Sequence, residues 1–438
     1  MADQRQISFS PPDISQAEID QVVDALKSGW ITTGPKTKLL EKRLADFCNT
    51  PRAAALNSAT ASEECGLRLL GIGPGDEVIT SAYTYTATAS AICHVGATPV
   101  LCDTAPDSFE MDYDKLAGLI TDKTRAVVPV DIAGRMVDYD RLFDVLDGCS
   151  TSWHPANETQ EACGRIPVLA DGAHSLGASY KGKMSGSVAD FTSFSFHAVK
   201  NFTTAEGGAL TWREGIIDSD EAYKQLMLMS LHGQSKDALA KTQKGAWEYD
   251  IVFPGWKCNM TDIAAGMGLA QLDRYPGLLA RRRALIARYE AGLAQLPVTT
   301  LRHYSTGDAD AANAVPRVLT NEEAAAARAA EATSETGFAS SGHLMLVRLT
   351  GKSIDFRNAL IVKLAEAGVA ANVHYKPLPL LTAYKNLGFD IADFPCAYAQ
   401  FANEITLPLH TLLTDEDVDY VVDAFAQGYA DLETAGVR

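Results

Sequence analysis

No two of the eight cysteines (Cys48, Cys65, Cys93, Cys102, Cys149, Cys163, Cys258 and Cys396) stand in Cys-x-x-Cys spacing. A zinc ribbon and a dithiol redox motif are therefore not expected, and no metal site is read from the sequence. Nowhere does an apolar run approach the ~18 residues that a membrane-spanning helix requires. The first residues, Met1-Ala-Asp-Gln-Arg-Gln-Ile-Ser8, have no apolar signal core. A reducing cytoplasm and no membrane partner are the resulting expectations. Positive charge is also in short supply: 38 Lys and Arg face 55 Asp and Glu, a formal charge of −17. Nucleic-acid binding needs clustered cations to neutralise phosphates, so it is not expected. A small anionic ligand held by local groups is still compatible with this balance.

What the chain does have is length and apolar content. Its 438 residues, 47% hydrophobic, suffice for two domains and a large core. Ser15 with Glu18 forms a capping box that opens a helix through about Lys27. Short apolar runs at Ala53–Leu56, Glu77–Thr80, Thr98–Leu101, Ala126–Val130, Pro167–Ala170, Asp190–Ser195 and Gly208–Trp212 read as strands. Helical patterns such as Thr60–Leu70 and Thr84–His94 lie between many of them. Continuous apolar runs alternating with helices indicate an α/β domain with a mostly parallel sheet covered on both faces. Near Asp273–Gln295 one long charged helix follows, and the division is placed there: a large domain over 1–275 and a small α+β domain over 276–438. Residues 303–340 are rich in Ala, Glu, Asp and Thr and read as an exposed insertion, with a helix-prone stretch at Asn321–Ala332. Beyond it, His343–Leu349 reads as a strand, Ile354–Ala367 as a helix, and Thr414 with Asp417 opens the last helix.

The chemistry concentrates at Lys200. The stretch Ser193-Phe-Ser-Phe-His-Ala-Val-Lys200-Asn-Phe-Thr-Thr-Ala-Glu-Gly-Gly208 sets a lysine in a polar turn after an apolar run. Upstream, Val168-Leu-Ala-Asp171-Gly-Ala-His174 ends another such run with a carboxylate. An aspartate at a strand end, followed by a lysine in a turn, suits pyridoxal 5'-phosphate (PLP). The amine forms a Schiff base with the aldehyde, and the carboxylate keeps the pyridine nitrogen protonated so that the ring accepts electrons. His174 is within reach of the oxygen substituent of the same ring. Asn57-Ser-Ala-Thr-Ala-Ser62 opens a helix with small residues, so a phosphate can approach its N–H groups. Tyr85 starts the next helix, where an aromatic can stack on a flat ring. Each feature alone has an ordinary explanation: a surface lysine, a helix cap, a packed aromatic, a structural histidine. Gly71-Ile-Gly-Pro-Gly75 follows a helix and precedes a strand, the wrong order for a dinucleotide motif, and reads as a turn.

Trp30–Pro35, Asn57–Ser62, Gly96–Pro99, Asp171–His174, Ser193–Gly208 and Pro254–Asn259 resemble, in order, the motifs of the DegT/DnrJ/EryC1/StrS sugar aminotransferases. The resemblance is dense over about residues 7–300 and resumes over about 343–426. It is nearest to the branch acting on UDP-linked 4-keto sugars, such as the UDP-4-amino-4-deoxy-L-arabinose synthase. It implies the aspartate aminotransferase-like fold-type I of PLP enzymes. By that resemblance Lys200 carries the cofactor, Asp171 pairs with the pyridinium and His174 contacts the ring oxygen. Tyr85 takes the stacking position. Ser195, the backbone around Ala59 and Thr60, and Asn259 bind the phosphate, Asn259 from the other subunit of a homodimer with shared sites. His374, Tyr375 and Lys376 fall where members contact the nucleotide sugar. Lys376 and Lys36 are further candidates to meet a diphosphate as point charges, the alternative being two solvated surface lysines.

The implied reaction is transamination from glutamate to a nucleotide-linked keto sugar, by two half-reactions. A sugar dehydratase of the same family is the alternative enzyme, but those members carry a histidine where this chain has Lys200. A non-catalytic regulatory protein of the same fold is the alternative from another class. Two departures touch the substrate side: Cys149–Gly164 is longer than expected, and residues 303–340 have no counterpart in the expected pattern.

Overall fold

The computed structural model describes residues 5–149, 153–236, 248–305 and 337–437. Two helices, α1 (Gln16–Ser28) and α2 (Pro35–Cys48), precede the first strand, and α1 carries the expected Ser15–Glu18 capping box. There follow β1 (Ala53–Leu56), α3 (Ala59–Leu69), β2 (Glu77–Ser81), α4 (Thr86–His94), β3 (Thr98–Cys102), α5 (Tyr113–Leu119) and β4 (Thr124–Val128). Next come α6 (Tyr139–Gly148), α7 (Glu158–Cys163), β5 (Leu169–Asp171), a hairpin of β6 (Ser179–Tyr180) and β7 (Lys183–Met184), β8 (Phe191–Ser195) and β9 (Gly208–Trp212).

A four-stranded sheet of order β1-β9-β8-β5 and a three-stranded sheet of order β3-β2-β4 form the main layer. Parallel bridges Val127↔Val168 and Val130↔Asp171 join them through β4 and β5. Only β9 runs against its neighbours β1 and β8; the other pairings are parallel. Alternate residues of one strand enter opposite cores. Ala54 and Leu56 pack with Leu67, Leu210 and Trp212, while Ala53 and Ala55 pack with Leu40, Phe194 and Leu269. Both faces are covered, which explains the continuous apolar runs.

After α8 (Ser219–Ser230), helix α9 spans Asp262–Leu293, beginning upstream of the expected Asp273. Gly266 and Gly268 weaken the helical pattern in the sequence. In the fold they serve close packing: a Cβ at Gly266 would come within 3.0 Å of the Gln21 carbonyl, and one at Gly268 within 3.0 Å of Leu40. The first half of α9 packs with the large core (Leu269, Leu272, Tyr275) and the second half with the C-terminal core (Leu285, Ile286, Tyr289, Leu293). The division at 275/276 thus falls within one continuous helix.

The C-terminal core lies on an antiparallel sheet of β10 (Val298–Thr300), β13 (Met345–Leu349) and β14 (Glu404–Leu407). Helices Ile354–Glu366 and Asp415–Thr434 pack together, and Phe356, Leu360 and Phe425 fill this core. Ile7, from the start of the chain, joins it by pairing with Val369.

Most of the 303–340 segment, including Asn321–Ala332, lies outside the described residues. Its two ends are not the exposed chain expected from composition. Strands β11 (Tyr304–Ser305) and β12 (Phe338–Ala339) extend the β6–β7 hairpin, and His303, Ala339 and Ser340 are buried. Polar composition concealed this because β12 borrows its partner from Ser179–Tyr180 and β11 then pairs with β12. Among the described residues, no helix is long and apolar enough to cross a membrane.

Candidate active site

Asp171 ends β5 with its side chain buried. Its Oδ2 accepts from the Thr88 hydroxyl (2.6 Å) and its Oδ1 from the Ala173 N–H (3.1 Å). No salt bridge reaches it among the described residues. Burial pushes its pKa up, while Thr88, Ala173 and the Lys200 charge pull it back. Its strand partner across the sheet is Ser193 of β8, and Lys200 lies in the turn that follows β8. That turn is closed by Lys200 N–H donating to the His197 carbonyl (2.9 Å). It is also anchored by the next residue: buried Asn201 donates to the Ser341 carbonyl (2.9 Å). Lys200 is half-buried, so solvent still reaches part of it although dense protein surrounds the amine. That surrounding protein lowers its pKa to about 8, against the opposing pull of Asp171. The neutral amine is therefore a minor but more accessible species near neutral pH than for an ordinary lysine.

The N-terminus of α3 reaches the same sheet edge by close backbone approach. A Cβ on Gly208 would lie 2.3 Å from the Ser58 carbonyl carbon and 2.5 Å from Ala59 N, so only glycine fits there. Gly208 pairs with Ser195 on one side and Leu56 on the other. Ala59, Thr60 and Ser195 are thereby gathered at one strand end. Ser58 caps the Ala61 N–H (3.1 Å), and no protein acceptor takes the Ala59 or Thr60 N–H among the described residues. Asn259 joins this rim by bridging Leu56 of its own chain. Its side chain, however, is held by Thr33 (2.6 Å) and by Lys257.

His174 sits across the cleft. Its Nδ1 accepts from the Ala133 N–H (3.2 Å), so Nε2 bears the proton of the neutral ring and pairs with the Tyr375 hydroxyl (3.1 Å). Burial, then the Lys200 and His374 charges, hold its pKa well below the usual range. His343 packs on it at 4.2 Å between centroids and bonds Asn201 through Nδ1 (2.9 Å). Tyr375 also meets Tyr85, which stands 60% exposed at the start of α4 (5.9 Å between centroids). His374 lies beside Tyr375, stacked on Phe9, with its pKa lowered to about 4 by burial and by Lys200. Lys376 is exposed. Lys36 does not join the cluster: its ammonium lies on Asp24 (2.7 Å) and Gln21 (2.7 Å) of α1.

Sequence reasoning missed Thr88, Asn201 and His343. Asn201 adjoins Lys200 within the 193–208 motif, while Thr88 lies one turn beyond Tyr85 in the Thr84–His94 helical pattern with no polar neighbour in sequence to mark it. His343 carried no signal, because its neighbours come from remote parts of the chain.

The model of the DegT/DnrJ/EryC1/StrS aminotransferase family matches residues 12–426. The chain belongs to this family. It is similar to Spr1654 of Streptococcus pneumoniae, assigned as a sugar aminotransferase, at 52% identity. In its pyridoxamine-phosphate form that structure covers 99% of this chain and 100% of its own, with a TM-score of 0.88. The PLP form of the same protein gives 0.87, covering 98% and 100%. Helicobacter pylori PseC, an aminotransferase involved in the biosynthesis of pseudaminic acid, is 26% identical over 98% of this chain and 100% of its own (TM-score 0.78). The Bacillus subtilis spore coat polysaccharide biosynthesis protein SpsC is 34% identical, covering 95% of this chain and 96% of that one. The fold is thus the fold-type I architecture of PLP-dependent sugar aminotransferases.

Proposed function

We propose that this aminotransferase moves an amino group from glutamate to a nucleotide-linked keto sugar, with a UDP-linked 4-keto sugar preferred. The observation that carries the reading is the buried Asp171 carboxylate, without a cation in salt-bridge contact among the described residues, within electrostatic reach of the Lys200 amine, whose pKa is lowered. PLP is the cofactor. The donor set suits it: a buried carboxylate for a ring N–H, an amine for an aldehyde, and unpaired helix-terminal N–H groups beside Ser195 for a phosphate. When bound, it supplies an electrophilic aldehyde and a ring that accepts electrons.

The residues divide the remaining work. Asp171 holds a proton on the ring nitrogen, and Thr88 and the Ala173 N–H orient its two oxygens. Lys200 Nζ would hold the cofactor through its aldehyde. Its amine would take the proton from the donor's α-carbon and, in the second half-reaction, deliver one to the acceptor carbon. His174 stays neutral and directs Nε2–H into the cleft. The Ala59 and Thr60 N–H groups and Ser195 hold the phosphate. Tyr85 stacks on the ring. His374, Tyr375 and Lys376 face the sugar nucleotide, whose remote binding energy orients the reacting ketone.

The active unit is a homodimer in which Asn259 reaches the neighbouring subunit's phosphate site. Supporting this, Ile19, Val23 and Leu26 of α1, with Ile31 and Leu39, leave large apolar side chains exposed in the single chain. Eight free cysteines fit a reducing cytoplasm. The acceptor is named by analogy with the branch that the motifs resemble, and the relatives' roles in polysaccharide and pseudaminic acid biosynthesis support a sugar acceptor.

A coupled assay for 2-oxoglutarate, with glutamate as donor across UDP- and dTDP-linked keto sugars, tests the proposal. The highest kcat/KM is expected for a UDP-4-keto sugar. Preference for a dTDP sugar, or amination at carbon 3, overturns the substrate while leaving the transaminase standing.

A further inference from the structure

Strand β14 carries a carboxyl group that the reaction above does not use. Glu404 is fully buried, and no cation pairs with its carboxylate among the described residues. Arg357 donates to its main-chain carbonyl (3.0 Å) instead. The carboxyl oxygens face the segment that carries His374 and Tyr375. Oε2 accepts the His374 N–H (2.9 Å) and Oε1 accepts the Thr406 hydroxyl (2.5 Å). Thr406 in turn meets His374 Nδ1 at 3.0 Å. Asn372 and Thr406 exchange main-chain hydrogen bonds, so this segment lies along the free edge of β14. From the large domain, the Tyr83 hydroxyl donates to the His374 carbonyl (2.8 Å).

We infer that Glu404 is a positioning residue for the acceptor half of the reaction, holding the His374 backbone and ring so that Tyr375 reaches His174. This rests on the reading of His374 and Tyr375 as the acceptor-facing residues. Both polar groups of the His374 main chain are clamped, its N–H by the small sheet and its carbonyl by Tyr83. The next side chain then spans the cleft to His174 Nε2 (3.1 Å). A carboxyl without a cation partner is costly to bury, and a wall of packing alone would not need one. Burial pushes its pKa up to about 8, against Thr406, the His374 N–H and Arg357. In either protonation state Oε2 accepts the His374 N–H, so a glutamine should serve and an alanine should not.

The test uses the full chain with 15N-labelled histidine, reading the His174 ring signals by NMR. Tyr375→Phe removes the hydroxyl and defines the displaced signal. Glu404→Ala should displace His174 in the same direction, while Glu404→Gln should leave it at the wild-type position. If the alanine variant does not fold, Thr406→Val removes the bridging hydroxyl at constant shape and should displace the same signal by a smaller amount. An unmoved His174 in the alanine variant, or in Thr406→Val where alanine does not fold, overturns the proposal; a loss of thermal stability alone would not mimic the expected shift. Kinetically, Glu404→Ala should slow the acceptor half-reaction by about tenfold or more, as expected for a misplaced reacting group. The glutamate half-reaction, followed by absorbance in single turnover, should be slowed less than the acceptor half, because Asp171 and Lys200 lie on the other wall and only the shared His174 is disturbed. Combining Glu404→Ala with Tyr375→Phe should cost no more than the worse single change; additive losses overturn the proposal. Failure of the wild type on every keto sugar would instead count against the functional reading, and the His174 signal would still decide the positioning role.

Discussion

Asp171 and the turn bearing Lys200 follow neighbouring strands of one sheet, whereas His374 and Tyr375 arrive from a segment laid along a different sheet. The first wall is tied by main-chain register: Asp171 pairs with Ser193, Ser195 with Gly208, and Gly208 with Leu56. The second depends on side chains that meet over long sequence separations, such as Tyr375 with His174 and Tyr83 with the His374 carbonyl. A wall set by strand register keeps its geometry when one contact is lost. A wall set by a few polar contacts can be retuned by single substitutions. The first suits chemistry common to a family, and the second suits a choice among acceptors.

The sharpest way to break this contrast is Lys200→Ala. It should abolish measurable transamination with glutamate while leaving the circular dichroism spectrum and melting cooperativity intact, since the cleft accommodates a smaller side chain. Retained turnover would remove Lys200 from the chemistry. Asp171→Asn should lower the rate by several orders of magnitude, because an amide cannot hold the ring nitrogen protonated. Near-normal rates would mean that another carboxylate is the partner.

The rigid wall has its own internal test. Glu63 of α3 is buried, and neither of its carboxyl oxygens has a hydrogen-bond partner among the described residues. Burial first, then the Asp171 and Glu64 charges, raise its pKa well above the ordinary 4.5. A raised folded-state value means that ionisation opposes folding; the penalty is absent below the unfolded value and grows as pH rises. Glu63→Leu should therefore stabilise the protein by about 1–3 kcal/mol at pH 8, with a smaller gain near pH 4.5. Urea denaturation at both pH values checks this, and a gain independent of pH would show that packing alone is responsible.

The smallest effect is expected for Lys36→Ala. Its ion pair with the exposed Asp24 is screened by solvent and adds little, and kcat/KM for the sugar nucleotide should change by less than about twofold. A large rise in KM would return Lys36 to the substrate side of the cleft.

The comparison also sorts what could be read in advance. The strand at Ala53–Leu56, the helix over Ala59–Leu69 and the strand at Gly208–Trp212 were legible because each is defined by its own residues: an apolar run, a small-residue cap, a glycine where backbones touch. The early start of α9 was hidden, since Gly266 and Gly268 lower helix propensity and make sense only against α1 and α2. The ends of the 303–340 segment were hidden for the same reason: they pair with each other, and β6 supplies the strand that anchors them.

By itself the sequence determined the chemical class. A strand-end aspartate, a lysine in a glycine-closed turn and a small-residue helix start are local features, and the physics that makes them useful acts within a few residues. Tertiary structure alone decided the rest. It turned Lys36 toward Asp24, brought Thr88 onto Asp171, stacked His343 on His174 and tied Glu404 to His374, because these contacts depend on which distant elements share a wall of the cleft.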